Sequence, residues 1–276
     1  MSDEVSGRVV EELQTRVHGD ASLPTLVYLP GLHGDWTVVG GFRRAMSARV
    51  RFVEFTYPRT LAWSLDDYAR AVLAALREKG ITGGWLLAES FGSQVGWAML
   101  KQIEEDRCAG KETFKADGLI LAGGFVRHPF MLGVWLAEAL LWTVVPLFVL
   151  PFAWMYGAVM ALRLCREPER LGEVREFVRR RTWRDLLAWA WRVDLIRRND
   201  PRPIARAVTL PVYYLSGLVE VIVPWGPVRW WLRRNCPGLR DMRLIFSDHA
   251  ILPTTPRKCA RHVAEWMRLP EVCAAS

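Results

Sequence analysis

Residues 84–98, GWLLAESFGSQVGWA, constrain the fold of this chain more than any other stretch. A short apolar run ends in a turn of small residues around Ser90, and residues of helical character follow at once. This order predicts a strand, a tight turn and a helix. The turn Ala88-x-Ser90-x-Gly92 is close to the G-x-S-x-G pattern, in which a sharp bend holds a serine hydroxyl above a sheet.

The turn departs from that pattern at one position, because Ala88 takes the place of the first glycine. Small residues two positions before and after the serine are a physical requirement, since the bend presses their backbones against neighbouring elements. A small-x-Ser-x-Gly sequence is common, so the turn by itself does not establish a catalytic serine. The remainder of the chain must supply the partners that such a serine needs.

Strands and helices alternate on either side of this turn. A serine followed by acidic residues, Ser64 to Asp67, predicts the start of a helix that ends at Glu78, before Gly80. Predicted strands comprise an edge strand within 8–17, then 25–29, 50–55, 84–89, 118–122, 210–215 (continued by 217–224) and 242–246. The alternation predicts an α/β fold with a mostly parallel sheet between two layers of helices.

Three loops rich in small or polar residues, 31–35, 88–92 and 123–128, each follow a predicted strand. In open parallel sheets, binding sites lie outside the carboxyl ends of the strands. The Ser90 turn therefore falls where a site is expected.

Residues 125–202 interrupt the alternation and contain no clear strand. Residues 139–162 lack charge and are long enough to span a bilayer, but Pro146 and Pro151 favour two shorter apolar helices. Residues 167–198 are amphipathic, and their arginine run, 179–181, is interpreted as a solvated helix face. We therefore expect a helical cap at 125–202 inserted into a core domain formed by 1–124 and 203–276.

A serine nucleophile needs a base, and the base needs an orienting acid. Among five histidines, His249 alone follows the last predicted strand in a short loop. Glu220 follows the penultimate strand region, which makes the chain order Ser90, Glu220, His249, the order known for serine, acid and histidine in α/β-hydrolases. Asp248 is a rival acid, and Asp194 and Asp200 are weaker rivals.

The other histidines have less specific settings. His18 is expected at the surface and His262 within the last helix, whereas His128 begins the cap, where it could contact a substrate. His33 lies in the loop after strand 25–29.

Over its whole length the chain resembles α/β-hydrolase-fold enzymes. Among them it is most similar in its motifs to small bacterial esterases and hydrolases whose serine turn reads Glu-Ser-Phe, as Glu89-Ser90-Phe91 does here. The resemblance implies a cap between the sixth and seventh core strands. The segment Gly217-x-x-Glu220-x-x-Val223-Pro224 matches a loop that usually carries Asp in that family, so Glu220 is a departure.

The same resemblance implies where an oxyanion is held. Backbone N–H groups of Leu32 and Phe91 are the expected donors, the first in the loop Pro30-Gly31-Leu32-His33-Gly34. Relatives carry histidine where this chain has Pro30. The backbone donor itself should be unaffected by this difference.

Composition narrows the function further. The net charge of +8 is carried by scattered arginines, without zinc-finger spacing or a basic tail, so nucleic-acid binding is not expected. Five dispersed cysteines without C-x-x-C argue against both a disulfide framework and a zinc site. Residues 1–6 are acidic and lack an apolar segment, so we expect a cytoplasmic protein.

The sequence thus predicts a serine hydrolase that cleaves a small carboxylic ester or thioester and requires neither a metal nor an organic cofactor. Expected pocket residues, which would suit a hydrophobic acyl or aryl group, are His33, Trp36, Trp135, Trp142 and Trp154. Acyl transfer or C–C bond hydrolysis on the same triad stays open. So does a non-catalytic, membrane-associated role, or a peripheral lipid contact through the apolar cap. The oligomeric state is not indicated.

Overall fold

In the computed structural model of the protein, the described residues are 12–143, 158 and 168–270. Seven strands form one sheet in the order β1-β3-β2-β4-β5-β6-β7. They are β1 (Gln14–His18), β2 (Thr25–Leu29), β3 (Arg51–Thr56), β4 (Gly83–Glu89), β5 (Lys115–Ala122), β6 (Val212–Gly217) and β7 (Leu239–Ile245). Only β1 is antiparallel to its neighbour, β3, and all other pairs are parallel. The predicted α/β class is therefore confirmed.

Helices cover both faces of the sheet. They are α1 (Gly40–Met46), α2 (Leu65–Glu78), α3 (Gly92–Cys108), α4 (Met131–Thr143), α5 (Pro168–Arg179), α6 (Trp183–Arg198), α7 (Arg202–Ala207), α8 (Trp225–Asn235), α9 (Ile251–Thr254) and α10 (Pro256–Trp266). Side chains alternate along β2: Val27 and Leu29 join the core under α2, α3 and α8, whereas Leu26 and Tyr28 join the core under α1, α9 and α10.

The start of α2 agrees with the prediction from Ser64. The Ser64 hydroxyl accepts a hydrogen bond from the Asp67 N–H at 3.2 Å, and the Asp67 carboxylate accepts one from the Ser64 N–H at 2.8 Å. This reciprocal capping box is typical of stable helix N-termini, where a cap contributes about 1 kcal/mol.

Strand boundaries show where apolar patterning is insufficient. β5 begins at Lys115 and β7 at Leu239, earlier than predicted, because both strands open with polar, exposed or half-exposed residues such as Asp117 and Arg240. Conversely, the apolar segment after Gly217 was predicted to continue in extended form, but β6 ends at Gly217 and residues 218–222 form a loop.

The described part of segment 125–202 contains helices α4, α5 and α6 and no strand. The segment lies between β5 and β6 of the strands that the described residues form, and its role as an inserted cap stays a prediction. Among the described residues, no helix is long and apolar enough to cross a membrane. Most of the uncharged run 139–162 lies outside the described residues.

Candidate active site

Ser90 lies between the end of β4 and the start of α3 in a strained backbone conformation. Its φ is 47°, a left-handed value that residues other than glycine seldom adopt. The Ser90 N–H donates to the Ala122 carbonyl at 3.0 Å, and the Ser90 carbonyl accepts from the Ser93 hydroxyl at 2.6 Å. These bonds hold the sharp turn that the sequence around Ser90 predicts.

Close approach to β2 explains the small residues of the turn. A Cβ at Gly92 would lie 2.2 Å from the Leu29 carbonyl oxygen, a contact that no side chain tolerates. Ala88 is fully buried, and a Cβ at Gly96 would lie 3.5 Å from the Ala88 Cβ. The extra methyl of Ala88 thus faces a glycine of α3, which leaves room for it.

His249 and Glu220 meet the serine at the carboxyl edge of the sheet. His249 Nε2 lies 3.0 Å from Ser90 Oγ, and His249 Nδ1 lies 2.5 Å from Glu220 Oε2. Glu220 Oε1 accepts the backbone N–H groups of Ile222 at 2.8 Å and Val223 at 3.0 Å. Both oxygens of this buried carboxylate are therefore bonded, and the acid is held by its own loop.

The rival acids have other partners. Asp248 Oδ1 accepts a hydrogen bond from the Ala250 N–H at 3.1 Å, within its own turn. Asp194 forms an ion pair with Arg197 at 2.7 Å, and Asp200 pairs with Arg127 at 3.0 Å. The carboxylate at His249 Nδ1 is that of Glu220, despite its distance of 29 positions along the chain.

The loop after β2 lies against the Ser90 turn. A Cβ at Gly31 would lie 3.5 Å from the Glu89 carbonyl oxygen. Among the described residues, nothing accepts a hydrogen bond from the backbone N–H of Leu32 or of Phe91. Phe91 is fully buried, with its ring edge-to-face against Tyr68 at 5.7 Å between centroids. Both expected oxyanion donors thus lack an acceptor within the described part of the chain, and their role stays a prediction.

Arg192, a buried residue of α6, fixes this loop. Its guanidinium donates to the Leu32 carbonyl at 2.8 Å and to the Pro58 carbonyl at 3.2 Å. Gly34 has φ of 73°, and a Cβ there would lie 2.3 Å from Arg192 Nη1. A helix of segment 125–202 therefore determines the position of the loop that carries Leu32.

A second polar cluster beside the serine is composed of the half-buried His33 and four buried residues, Tyr28, Asp35, Glu89 and Arg181. His33 lies between two carboxylates, with Nε2 3.3 Å from Glu89 Oε2 and Nδ1 3.6 Å from Asp35 Oδ1. Tyr28 donates its hydroxyl proton to Glu89, and Arg181 donates to Asp35 and to the His33 carbonyl. We call this group the ionic cluster.

The charges of the ionic cluster shift the pKa values of its members. Burial lowers the pKa of His33, but its bonds to Asp35 and Glu89 outweigh burial and raise that pKa to about 9. Burial raises the pKa of Glu89, yet the hydrogen bonds from His33 and Tyr28 leave it below its usual value. The two neighbouring carboxylates therefore favour the protonated form of His33.

Sequence reasoning missed most of the ionic cluster. Arg181 was interpreted as part of a solvated face, but it is buried against Asp35 because the chain turns between α5 and α6 at this point. The motif His33-x-Asp35, with both polar residues directly after a buried strand, was a usable indication of polar packing. Nothing local in the sequence indicates that Arg181 and Arg192 reach the loop.

The predicted pocket residues lie in different settings. His33 belongs to the ionic cluster. Trp36 is buried, with the Arg16 guanidinium 4.0 Å from its ring centroid, and its role in a pocket stays a prediction. Trp135 and Trp142 are exposed on α4, and their role stays a prediction. Trp154 lies outside the described residues.

A cavity of about 320 Å³ opens beside the acid loop, between the start of α4 and α8. Its lining includes Val126, His128, Met131, Trp230 and Trp231. His128 Nε2 lies 3.1 Å from the carbonyl oxygen of Ile222, whose N–H bonds to Glu220. Ile222 thus connects the cavity, through His128, to Glu220, the carboxylate that contacts His249. Among the described residues, no group of three His, Cys, Asp or Glu side chains is arranged to hold a metal.

Comparison with solved structures identifies the fold. The chain is similar to a thermophilic esterase from Thermogutta terrifontis, with a TM-score of 0.68, 18% identity and 93% of each chain covered. It is also similar to the enol-lactonase from Burkholderia xenovorans LB400, with a TM-score of 0.70 and 16% identity over 93% of this chain and 96% of that one.

A third similar structure is an α/β-hydrolase enzyme from a Medee basin deep-sea metagenome library, with a TM-score of 0.69, 11% identity and 96% and 97% of the two chains covered. No protein-family model matches the sequence, and the search of curated proteins found no match. The chain has the α/β-hydrolase fold, as its resemblance implied.

Proposed function

We propose that this protein is a serine hydrolase that cleaves carboxylic esters or thioesters through an acyl-enzyme on Ser90. One observation carries the proposal: His249 lies 3.0 Å from the Ser90 hydroxyl through Nε2 and 2.5 Å from the Glu220 carboxylate through Nδ1. Hydroxyl, imidazole and carboxylate in hydrogen-bonded series are the arrangement that activates a serine.

In the first half of the reaction, Ser90 Oγ attacks the acyl carbon while His249 Nε2 takes the hydroxyl proton. Glu220 holds the Nδ1–H and stabilises the resulting imidazolium. His249 then gives this proton to the leaving group, which is the alcohol oxygen of an ester or the thiol sulfur of a thioester. The acyl group stays bound to Ser90.

In the second half, water attacks the acyl-enzyme and gives its proton to His249. His249 then returns this proton to Ser90 Oγ as the bond from Oγ to the acyl carbon breaks, and the carboxylic acid departs. The negative oxygen in both steps would accept hydrogen bonds from the backbone N–H groups of Leu32 and Phe91. Their lack of another acceptor among the described residues supports this role.

Several features support ester cleavage in particular. Similar structures include an esterase, an enol-lactonase and carboxylesterases, although identities below 20% carry only the fold. The cavity near His128 is lined mainly by apolar and aromatic side chains, which suits a hydrophobic acyl or aryl group. Helices α4–α6 would act as a cap that limits water at the site.

The proposal is tested with a fluorophosphonate label combined with p-nitrophenyl esters of increasing acyl length. We expect labelling of the wild type at Ser90, none of Ser90→Ala, and a loss of ester turnover of about three to six orders of magnitude in that variant. Ser47→Ala is the matched control for labelling and should be labelled as the wild type is, because it removes an exposed hydroxyl at the end of α1. Turnover by Ser90→Ala close to that of the wild type would disprove the mechanism.

A further inference from the structure

Helix α8 and its flanks have an unusual composition. Residues 221–240 contain three tryptophans and four arginines and no acidic residue. Trp230 is 56% exposed, with the Arg234 guanidinium 4.6 Å from its ring centroid. The Arg206 guanidinium of α7 lies 5.7 Å from the ring centroid of Trp231. Cations and amphipathic rings are therefore interleaved on one short helix.

These arginines differ from others near the site. Arg127 and Arg202 both pair with Asp200. Within the described residues, by contrast, Arg229, Arg233 and Arg234 form no ion pair with a carboxylate. Their positive charge is not neutralised by the described part of the protein, and it is concentrated on α8.

Exposed apolar side chains adjoin α8 on the loop that carries Glu220. Leu218, Val219, Val221 and Ile222 are 47%, 54%, 81% and 58% exposed. The Trp225 indole N–H donates to the Leu218 carbonyl at 3.1 Å, which joins this loop to the start of α8. These four apolar residues flank the buried Glu220, two on each side, and burial in the protein's own core does not account for them.

Helix α4 extends the same surface. Met131, at its start, lines the cavity that Trp230 and Trp231 also line, so α4 and α8 face each other across it. Leu132 and Trp135 of α4 are 60% and 57% exposed. Only Val134 of this helix is buried in the core.

We propose that this surface, defined by Trp135, Val221, Ile222, Trp230, Arg233 and Arg234, binds an anionic lipid membrane. We call it the Trp–Arg surface. Apolar side chains would enter the acyl boundary, the indoles would lie at headgroup level, and the arginines would contact lipid phosphates. Charge argues against a second copy as the occupant, because the net charge is +8 and two such surfaces would bring arginines together.

Membrane binding would place the entrance of the His128 cavity and the Glu220 loop against the lipid. A hydrophobic ester could then reach Ser90 from the bilayer without crossing water. This consequence rests on the proposed function, but the binding itself does not require any turnover.

The test uses the full chain carrying Ser90→Ala, so that no lipid is consumed, with sedimentation of vesicles as the readout. We expect binding to phosphatidylcholine vesicles that contain phosphatidylserine and much weaker binding to pure phosphatidylcholine. Binding to the anionic vesicles should decrease as salt is raised, because the arginine contribution is screened.

The double variant Arg233→Gln and Arg234→Gln should weaken binding to the anionic vesicles about 30-fold, because each lost arginine weakens it about fivefold. Trp135→Ser should also weaken binding to the anionic vesicles, and the factor by which it does so should be the same at low and at high salt. The matched control is Arg257→Gln with Arg261→Gln, which removes equal charge from exposed positions of α10, on the opposite face of the sheet. The control should bind as the parent does.

Three results would overturn the proposal: no binding to the anionic vesicles, equal losses in the α8 and α10 variants, or binding of an acidic protein or of DNA with affinity matching that for vesicles. Failure of the proposed hydrolase activity is distinguished from these, since vesicle binding is measured on a variant without the serine hydroxyl.

Discussion

Two histidines flank the Ser90 turn, and they differ in the number of carboxylates that contact the imidazole ring. His249 lies between a hydroxyl, Ser90 Oγ, and one carboxylate, that of Glu220. His33 lies between two carboxylates, those of Glu89 and Asp35. A second anion holds the proton of His33 and raises its pKa to about 9. An imidazolium cannot accept a proton, so at neutral pH His33 serves as a structural cation and not as a base.

The two groups of residues at this edge of the sheet, the one around His249 and the ionic cluster around His33, also differ in the elements that form them. Ser90, Glu220 and His249 lie in loops that follow β4, β6 and β7, whereas the ionic cluster includes Arg181, which lies between α5 and α6. One cluster carries the proposed chemistry. The other holds the β2 loop and the β4 end in place.

The largest expected effect separates the two histidines directly. His249→Ala should lower kcat/KM for a p-nitrophenyl ester by about three to six orders of magnitude, because the base is lost. His33→Gln should retain kcat within about tenfold at pH 7.5, since it removes only a structural cation. Kinetics of both variants, with circular dichroism to check folding, make the comparison. Equal losses in the two would contradict the division of roles.

The second largest effect is expected from substitution of the acid, Glu220. Glu220→Gln should lower kcat by about two to four orders of magnitude, since the amide no longer stabilises the imidazolium. Asp248→Asn serves as its matched control and should change kcat by less than about fivefold, because the carboxylate at His249 Nδ1 is that of Glu220, whereas Asp248 Oδ1 accepts the Ala250 N–H. A larger loss in the Asp248 variant would move the acid assignment to that residue.

Arg192 tests whether the inserted segment orders the loop of Leu32. Arg192→Ala should reduce the free energy of unfolding by about 3 kcal/mol, because the buried carbonyls of Leu32 and Pro58 lose their donor. It should also lower kcat more than it raises KM. Arg192→Lys restores a charge but carries all its N–H donors on one nitrogen, which cannot reproduce the two separate guanidinium nitrogens, so partial rescue is expected. Denaturant melts and steady-state kinetics measure both quantities.

The smallest effect concerns pH and stability. Because the pKa of His33 rises from 6.5 to about 9 on folding, its contribution is fully present below pH 6.5 and is lost as pH rises through about 9. We expect the free energy of unfolding to fall by on the order of 2 to 3 kcal/mol over that range. His33→Gln should remove this fall. An unchanged pH profile in the variant would show that His33 carries no extra proton in the folded state.

Much of the fold was predictable because its physical causes are local. β2 was predicted as Thr25–Leu29, the range that it occupies, because a continuous apolar run between polar turns fits a buried parallel strand. The N-cap at Ser64 followed from the same kind of short-range chemistry. Boundaries were less accurate at β5 and β7, whose first residues are polar and do not need burial.

The candidate site was predictable in part. Ser90, Glu220 and His249 were selected by their positions after strands, and the structure brings them within hydrogen-bonding distance; their catalytic roles stay predictions. The sequence did not indicate that Trp36 is buried with an arginine over its ring, and its role in a pocket stays a prediction. Exposure depends on what covers a residue, and that is not local information.

The sequence by itself determined the order of strands and helices, the tight Ser90 turn and the chain order of its partners, since each depends on neighbouring residues. Only the tertiary structure decided that His33 is clamped between carboxylates, that Arg181 and Arg192 reach the β2 loop, and that Gly96 makes room for Ala88. The reason is physical. Burial, charge pairing and close packing are properties of residues distant in the chain, and they arise only when the sheet and its helices bring those residues together.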